Sequence, residues 1–182
     1  MNLALFDFDG TSTSADTFTP FLRYSARPAK LAVGIVVLSP LIVGRKLILI
    51  PNHASRPLAA RFAFKGEGAV AIREFGGTYA RNVIFTMLRP DALDRIEGHR
   101  DKGNVVVVVS TALDVYLRPW CESVGITDVI CTTLEESDGK FTGRYVEGDC
   151  CGQEKLRLIR ARYDLAQFTR IFAYGDSERL FS

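Results

Sequence analysis

Apolar residues along this chain fall into two alternating patterns. Unbroken runs, Leu3-Ala4-Leu5-Phe6 and the valines that follow Asn104 as far as Val109, predict strands buried on both faces, since a half-buried strand would alternate apolar with polar. The β-branched run 104–109 reads as a central parallel strand ending at Ser110-Thr111. Between such runs the period becomes helical. Ala69 to Met87 predicts one helix, and Pro90 opens another, with Leu93 and Ile96 on one face and Gly103 as its stop. Leu113, Tyr116, Leu117, Trp120 and Val124 form a helical stripe that Gly125 terminates. Asp128 to Thr133 reads as a short strand, and Gly139 to Val146 as a small hairpin. A basic amphipathic helix over 154–163, with Leu156, Ile159 and Tyr163 inward, leads to a last strand, Arg170 to Tyr174, broken by Gly175. Strand, loop and helix in alternation predict an α/β fold around a right-handed, mostly parallel sheet, and such sheets take ligands at the carboxyl ends of their strands.

The net charge of +2 conceals a division along the chain. Residues 17–66 hold eight bases, Arg56 and Arg61 among them, and no acid, so +8 in this block stands against −6 elsewhere. Such a shift marks a boundary between structural units. Inside the block, 31–44 is a run of fourteen uncharged residues bracketed by Lys30 and Arg45-Lys46. As a helix it would reach roughly 21 Å, short of the ~30 Å hydrocarbon core, and Pro40 would kink it, so a simple transmembrane span is disfavoured. A basic, apolar block suits an anionic substrate with an apolar body, or docking to an anionic membrane surface. The plainer alternative is a buried helix whose arginines reach around it to solvent. Nucleic acid is disfavoured as a partner, because the block has neither aromatic interleaving nor a helix-turn-helix pattern.

With 182 residues, 47% of them hydrophobic, the chain can bury one core and carry an inserted subdomain. Cysteines 121, 131, 150 and 151 lack the C-x-x-C spacing of zinc sites, and an adjacent pair is a poor start for a disulfide framework. Both points favour a reducing, cytoplasmic compartment. No basic stretch followed by an apolar one opens the chain, so no secretion signal is expected. His53 and His99 stand alone and read as surface or helix-packing residues.

Candidate chemistry lies at the strand ends. Asp7 and Asp9 follow the first apolar run, and as strand residues two apart they would share one face. Two carboxylates beside an apolar strand repel each other and resist desolvation, which suggests an aspartate nucleophile, a second aspartate as proton donor and a divalent metal. Asp residues that merely cap a turn are the competing explanation. Ser110 and Asp176 would lie at the same sheet edge, and Lys155 near the start of a helix adds a cation. Carboxylates suit magnesium, while a hydroxyl and an ammonium suit phosphate oxygens. Singly, Ser110 as a helix N-cap, Lys155 as a solvated lysine and Asp176 as a turn former remain open.

Asp7-Phe8-Asp9-Gly10-Thr11, Ser110 at a strand end, the lysine of Gly152-Gln153-Glu154-Lys155 and Tyr174-Gly175-Asp176-Ser177 resemble, in order, the four motifs of the haloacid dehalogenase superfamily. The phrases Asp16-Thr17-Phe18 and Tyr116-Leu117-Arg118-Pro119-Trp120 make the chain most similar to the phosphoserine-phosphatase-like branch, over nearly its whole length. The resemblance implies a Rossmann-like core over 1–13 and 91–182 with a helical cap of the C1 type over 14–90, inserted between the first and second motifs. It also implies that Asp7 attacks phosphorus, that Asp9 is acid and then base, and that Ser110 and Lys155 hold the phosphoryl oxygens. Mg2+ would be bound by the Asp7 carboxylate, the Asp9 carbonyl and Asp176. Two departures stand out. Leu180 occupies the position where the family usually has a second acid, and the chain stops at Ser182, before the closing elements expected of the core.

The expected function is a Mg-dependent phosphatase acting on a small phosphorylated metabolite through an aspartyl-phosphate. A membrane-associated lipid-phosphate phosphatase, suggested by the basic apolar block, is one alternative. A non-catalytic phosphate-binding protein, suggested by Leu180, is the other. The cap offers no acid between residues 17 and 66 to read an amino group; Glu67 and Glu74 are the nearest substitutes.

Overall fold

A computed structural model describes residues 1–30, 32–34, 36 and 52–175. Most of the uncharged run 31–44, the side chain of His53, and Asp176 and Leu180 lie outside the described residues.

Four strands form a parallel sheet in the order β3-β2-β1-β6: β1 (Leu3–Phe6), β2 (Val105–Leu113), β3 (Asp128–Thr132) and β6 (Ile171–Tyr174). β1 and β2 are central. Leu3 is in register with Val105 on one side and Ile171 on the other. Because both faces of the sheet are covered, every residue of β1 is buried, and its sequence is apolar throughout rather than alternating. β2 runs past the predicted end at Ser110 to Leu113, with its pairing to β3 shifting register between those residues.

One face of the sheet, with Leu3, Leu5, Val107, Val109 and Ile130, packs on the helix α6 (Gln153–Arg162) through Ile159 and Leu158. The sequence pattern had assigned Leu156 to this inward face. Leu156 and Leu158 are both half-buried, and Leu158 is the one that packs against the sheet cluster. The opposite face, with Ala4, Phe6 and Val108, joins a larger core. That core is built with α1 (Phe18–Ser25), α2 (Asn52–Phe64), α3 (Ala69–Tyr79), α4 (Pro90–Asp101) and α5 (Asp114–Ser123). α3 continues through a π-turn over Ala80–Ile84 into a short helical end, Phe85–Met87, so the helix predicted over 69–87 carries one change of pitch. Phe21, Tyr79 and Tyr116 cluster with ring centroids 4.8–5.5 Å apart, and burying each such ring contributes about 1.5–3 kcal/mol.

The hairpin differs from expectation. Gly139 to Val146 is not itself a hairpin; Asp138 and Gly139, at φ 52° and 72°, form the turn between β4 (Leu134–Ser137) and β5 (Lys140–Tyr145). An Asp-Gly pair with positive φ at both positions matches the twist of the strands it joins. β4 escaped notice because Glu135 and Glu136 break its apolar pattern. The hairpin also holds the α2–α3 connection: Gly66 donates to Phe141 O at 2.8 Å, Phe141 to Glu67 O at 2.9 Å and Ala69 to Gly139 O at 2.9 Å. Where the chain leaves and re-enters the sheet, residues 12–14 and 87–89 run antiparallel, Ser14 donating to Met87 O at 2.8 Å and Arg89 to Ser12 O at 2.9 Å.

His99 is a packing residue, as the sequence suggested: it is buried on α4, 2.9 Å from the Tyr174 hydroxyl through Nε2 and 2.9 Å from the Asn104 amide through Nδ1. Since the Asn104 amide donates to Nδ1, Nε2 carries the proton toward Tyr174. All four cysteines are free, and burial pushes the Cys150 thiol up to about 12. Among the described residues no helix is long and apolar enough to cross a membrane.

α3 and α5 approach closely at Gly76, where a Cβ would collide with the Val115 carbonyl of α5. Gly76→Ala should therefore lower stability by about 2–3 kcal/mol through overpacking, read as a shift in the denaturant midpoint. A midpoint equal to wild type would show that α3 and α5 do not pack this closely.

Candidate active site

β1 ends at Phe6, and Asp7 begins a wide turn over Phe8–Ser12 that requires φ +78° at Gly10. The Asp7 backbone is held on both sides: its N–H donates to Tyr174 O at 2.9 Å, and its carbonyl accepts the Ser12 hydroxyl at 2.8 Å. The Asp7 carboxylate accepts the Phe8 amide at Oδ1, 2.7 Å away. Its Oδ2 pairs with Lys155 Nζ at 3.0 Å, the two side chains being only 12% and 6% exposed. Lys155 is therefore not a solvated helical lysine. It comes from the first turn of α6, where Ile159 one turn on anchors the helix to the sheet.

Asp9 has a different set of partners. Since β1 stops before either acid, strand alternation does not govern them, and the expected shared face gives way to a turn that sends the two carboxylates to different neighbours. Asp9 Oδ1 accepts the Thr17 amide at 2.9 Å and the Thr17 hydroxyl at 2.6 Å. Oδ2 lies 3.6 Å from Arg56 Nη2, too far for a hydrogen bond, and is a buried atom without one. Burial raises the Asp9 pKa, against the lowering effects of the Thr17 hydroxyl and the Arg56 guanidinium. Arg56 also lies 3.6 Å from Asp16, 4.5 Å over the Phe18 ring and 3.4 Å from Thr111 O.

Ser110 sits fully buried in β2, the strand beside β1, where the pairing of β2 with β3 begins to shift register. Its Oγ accepts the Ala112 amide at 3.1 Å, a local turn bond rather than a helix cap, since α5 begins only at Asp114. Its hydroxyl proton remains to be donated. The structure thus joins Asp7 to Lys155, gives Asp9 separate partners and leaves Ser110 at the same edge without a bond to either. Asp176 lies outside the described residues, although Tyr174, two residues before it, abuts Asp7.

Three residues around Asp9 carried no assigned role in the sequence. Arg56 was one of eight bases with nothing to distinguish it, and only the tertiary fold brings it to Asp9. Thr17 and Tyr116 stood inside phrases already noticed, so their signal was present. Of the two acids nearest the basic block, Glu67 pairs with Lys30 at 2.6 Å and Arg27 at 3.3 Å, and Glu74 is exposed.

Among the described residues no three carboxylate, histidine or cysteine side chains converge as a metal cluster. The donors at the β1 edge nevertheless fit a hard cation. They are all oxygens, and each Asp7 carboxylate oxygen retains a lone pair beyond its bond to Phe8 or Lys155.

The fold is a parallel α/β sheet that sets a paired aspartate and lysine at the carboxyl end of a central strand. Residues 4–179 match the haloacid dehalogenase-like hydrolases, and the chain belongs to that family. Protein CicA of Caulobacter vibrioides is 32% identical over 178 residues, which span 96% of this chain and 78% of CicA. A histidinol-phosphatase of Neisseria meningitidis is 29% identical over 125 residues, 65% of this chain and 54% of that protein. The fold is shared with a phosphoserine phosphatase solved as a phospho-aspartyl intermediate analogue, at a TM-score of 0.63 and 18% identity, covering 94% of this chain and 76% of that one.

The Asp9 environment makes stability pH-dependent. Its folded pKa is raised above the unfolded value, so the protonated acid contributes stability at low pH that is lost as the pH rises through the folded pKa. Asp9→Asn should therefore raise the melting temperature at neutral pH, with the gain shrinking as the pH falls toward the ordinary value of 3.8. A gain that does not vary with pH would show that burial does not raise the Asp9 pKa.

Proposed function

We propose that the chain is a phosphoric monoester hydrolase whose nucleophile is Asp7 and whose acid and base is Asp9. The observation that carries this reading is the contrast between the two carboxylates: Asp7 is paired with a buried lysine at 3.0 Å, while burial raises the Asp9 pKa. A nucleophile must be an anion and a general acid must hold a proton, and an ion pair on one aspartate with burial of the other suits that division of roles. The family and the histidinol-phosphatase likeness support it.

In this mechanism Asp7 attacks phosphorus and the leaving oxygen takes the Asp9 proton as its bond to phosphorus breaks. The Asp9 carboxylate then removes a proton from the water that attacks the aspartyl-phosphate, releasing phosphate and restoring both acids. Lys155 holds a phosphoryl oxygen, and the Ser110 hydroxyl donates to another. Magnesium, held by the Asp7 carboxylate, the Asp9 carbonyl and Asp176, would offset the phosphoryl charge. The core is 1–13 with 91–182 and the cap 14–90; the crossing of 12–14 with 87–89 supports that division. Arg56 and Asp16, from the cap side, border the leaving group, which suits a small polar phosphorylated metabolite.

Asp7→Asn should lower hydrolysis of phosphomonoesters by at least about a hundredfold and abolish trapping of beryllofluoride, with the circular dichroism spectrum unchanged. EDTA should silence the wild type until magnesium is restored. Full activity in Asp7→Asn would overturn the assignment of the nucleophile, and absence of both turnover and trapping in the wild type would leave a phosphate-binding protein without catalysis.

A further inference from the structure

A general acid works only if its proton faces the leaving oxygen, and a carboxyl group free to rotate presents either oxygen. Asp9 is not free. Both hydrogen bonds to its Oδ1 come from one residue, the amide and the hydroxyl of Thr17. The Thr17 hydroxyl has a single proton. Having donated it to Asp9, Thr17 Oγ1 can only accept from the Tyr116 hydroxyl, 3.1 Å away, so the donors run in one direction, Tyr116 to Thr17 to Asp9.

Thr17 is fixed in turn. Its carbonyl accepts the Tyr79 hydroxyl at 2.9 Å, and Asp16 immediately before it accepts the Thr19 amide at 3.0 Å, which pins the start of α1. Thr17 and Tyr116 are fully buried and Tyr79 is 1% exposed, so water does not compete for these bonds. The tyrosines come from α3 and α5 and meet edge to face at 5.5 Å. Two helices distant in sequence therefore converge on one threonine.

With Oδ1 accepting twice, a proton placed there would displace a bond from Thr17. That leaves Oδ2, the buried oxygen 3.6 Å from Arg56 Nη2 and without a hydrogen bond, as the one placed to present a proton to a substrate. We propose that Thr17, backed by Tyr116 and Tyr79, is the positioning residue of the general acid, locking the Asp9 carboxyl so that Oδ2 faces the leaving oxygen. The inference rests on the phosphatase reading, with Asp9 as acid. In this role Thr17 acts through the Asp9 carboxyl.

Leaving-group dependence tests it. p-Nitrophenolate departs readily without a proton, whereas phenolate gains far more from an acid. Thr17→Val should lower kcat/KM for phenyl phosphate by about tenfold or more, a fraction of what a general acid contributes, and for p-nitrophenyl phosphate by under about threefold. Thr17→Ser, which keeps the hydroxyl, should retain the wild-type ratio of the two. If Thr17→Val does not fold, Tyr116→Phe is read by the same ratio, with the same direction expected. Equal losses on both esters in a folded variant, or none, would overturn the positioning role while leaving the phosphatase reading intact. A wild type that hydrolyses neither ester would sink that reading, and this inference with it.

Discussion

The ion pair between Asp7 and Lys155 is the constraint around which the sheet edge is organised. A buried pair is tolerated only when its geometry is well held, because removing two charges from water is expensive and each must find its partner and its remaining hydrogen bonds. Here the holding is distributed. β6 fixes the Asp7 backbone, the Phe8 amide fixes one carboxylate oxygen, and α6 brings the ammonium by packing Leu158 and Ile159 on the sheet. The apolar continuity of β1 serves the same end, since a strand buried on both faces leaves its first polar residue nowhere to turn except the carboxyl edge.

The second carboxylate is held by a different part of the molecule. Asp16, Thr17 and Phe18 act in succession: the first starts α1, the second binds Asp9, and the third lies under the Arg56 guanidinium. Arg56 comes from α2 and reaches the site across a sequence gap of forty-odd residues, so the charge that faces Asp9 depends on how the inserted helices pack. They are secured at two places, at the antiparallel crossing of 12–14 with 87–89 and at the hairpin that bonds the α2–α3 connection. The proton affinity of Asp9 is thereby a property of the packing of the inserted helices.

Much of this was legible from the chain. The strands over 3–6 and 170–174, the helix stops at Gly103 and Gly125, and the positions of Asp7 and Lys155 follow from pattern and motif, because backbone period and the needs of phosphate chemistry are local or nearly so. Less legible were features whose cause is distant. β4 carries two glutamates and reads as a loop until β5 pairs with it. Leu156 and Leu158 fit a helical stripe about equally well, and the sheet chooses the second. Glu67 looked available for a ligand, but it is bound to Lys30 and Arg27.

The sequence by itself determined the α/β class, the family and the identity of the carboxylates and lysine at the sheet edge, since strand periodicity and motif spacing are written in consecutive residues. The tertiary structure alone decided that Arg56 meets Asp9, which of two oxygens on that acid lacks a hydrogen bond, and that Thr17 joins it to two tyrosines. Those outcomes depend on distances between segments dozens of residues apart and on the exclusion of water from the space between them, and neither quantity exists until the chain has folded.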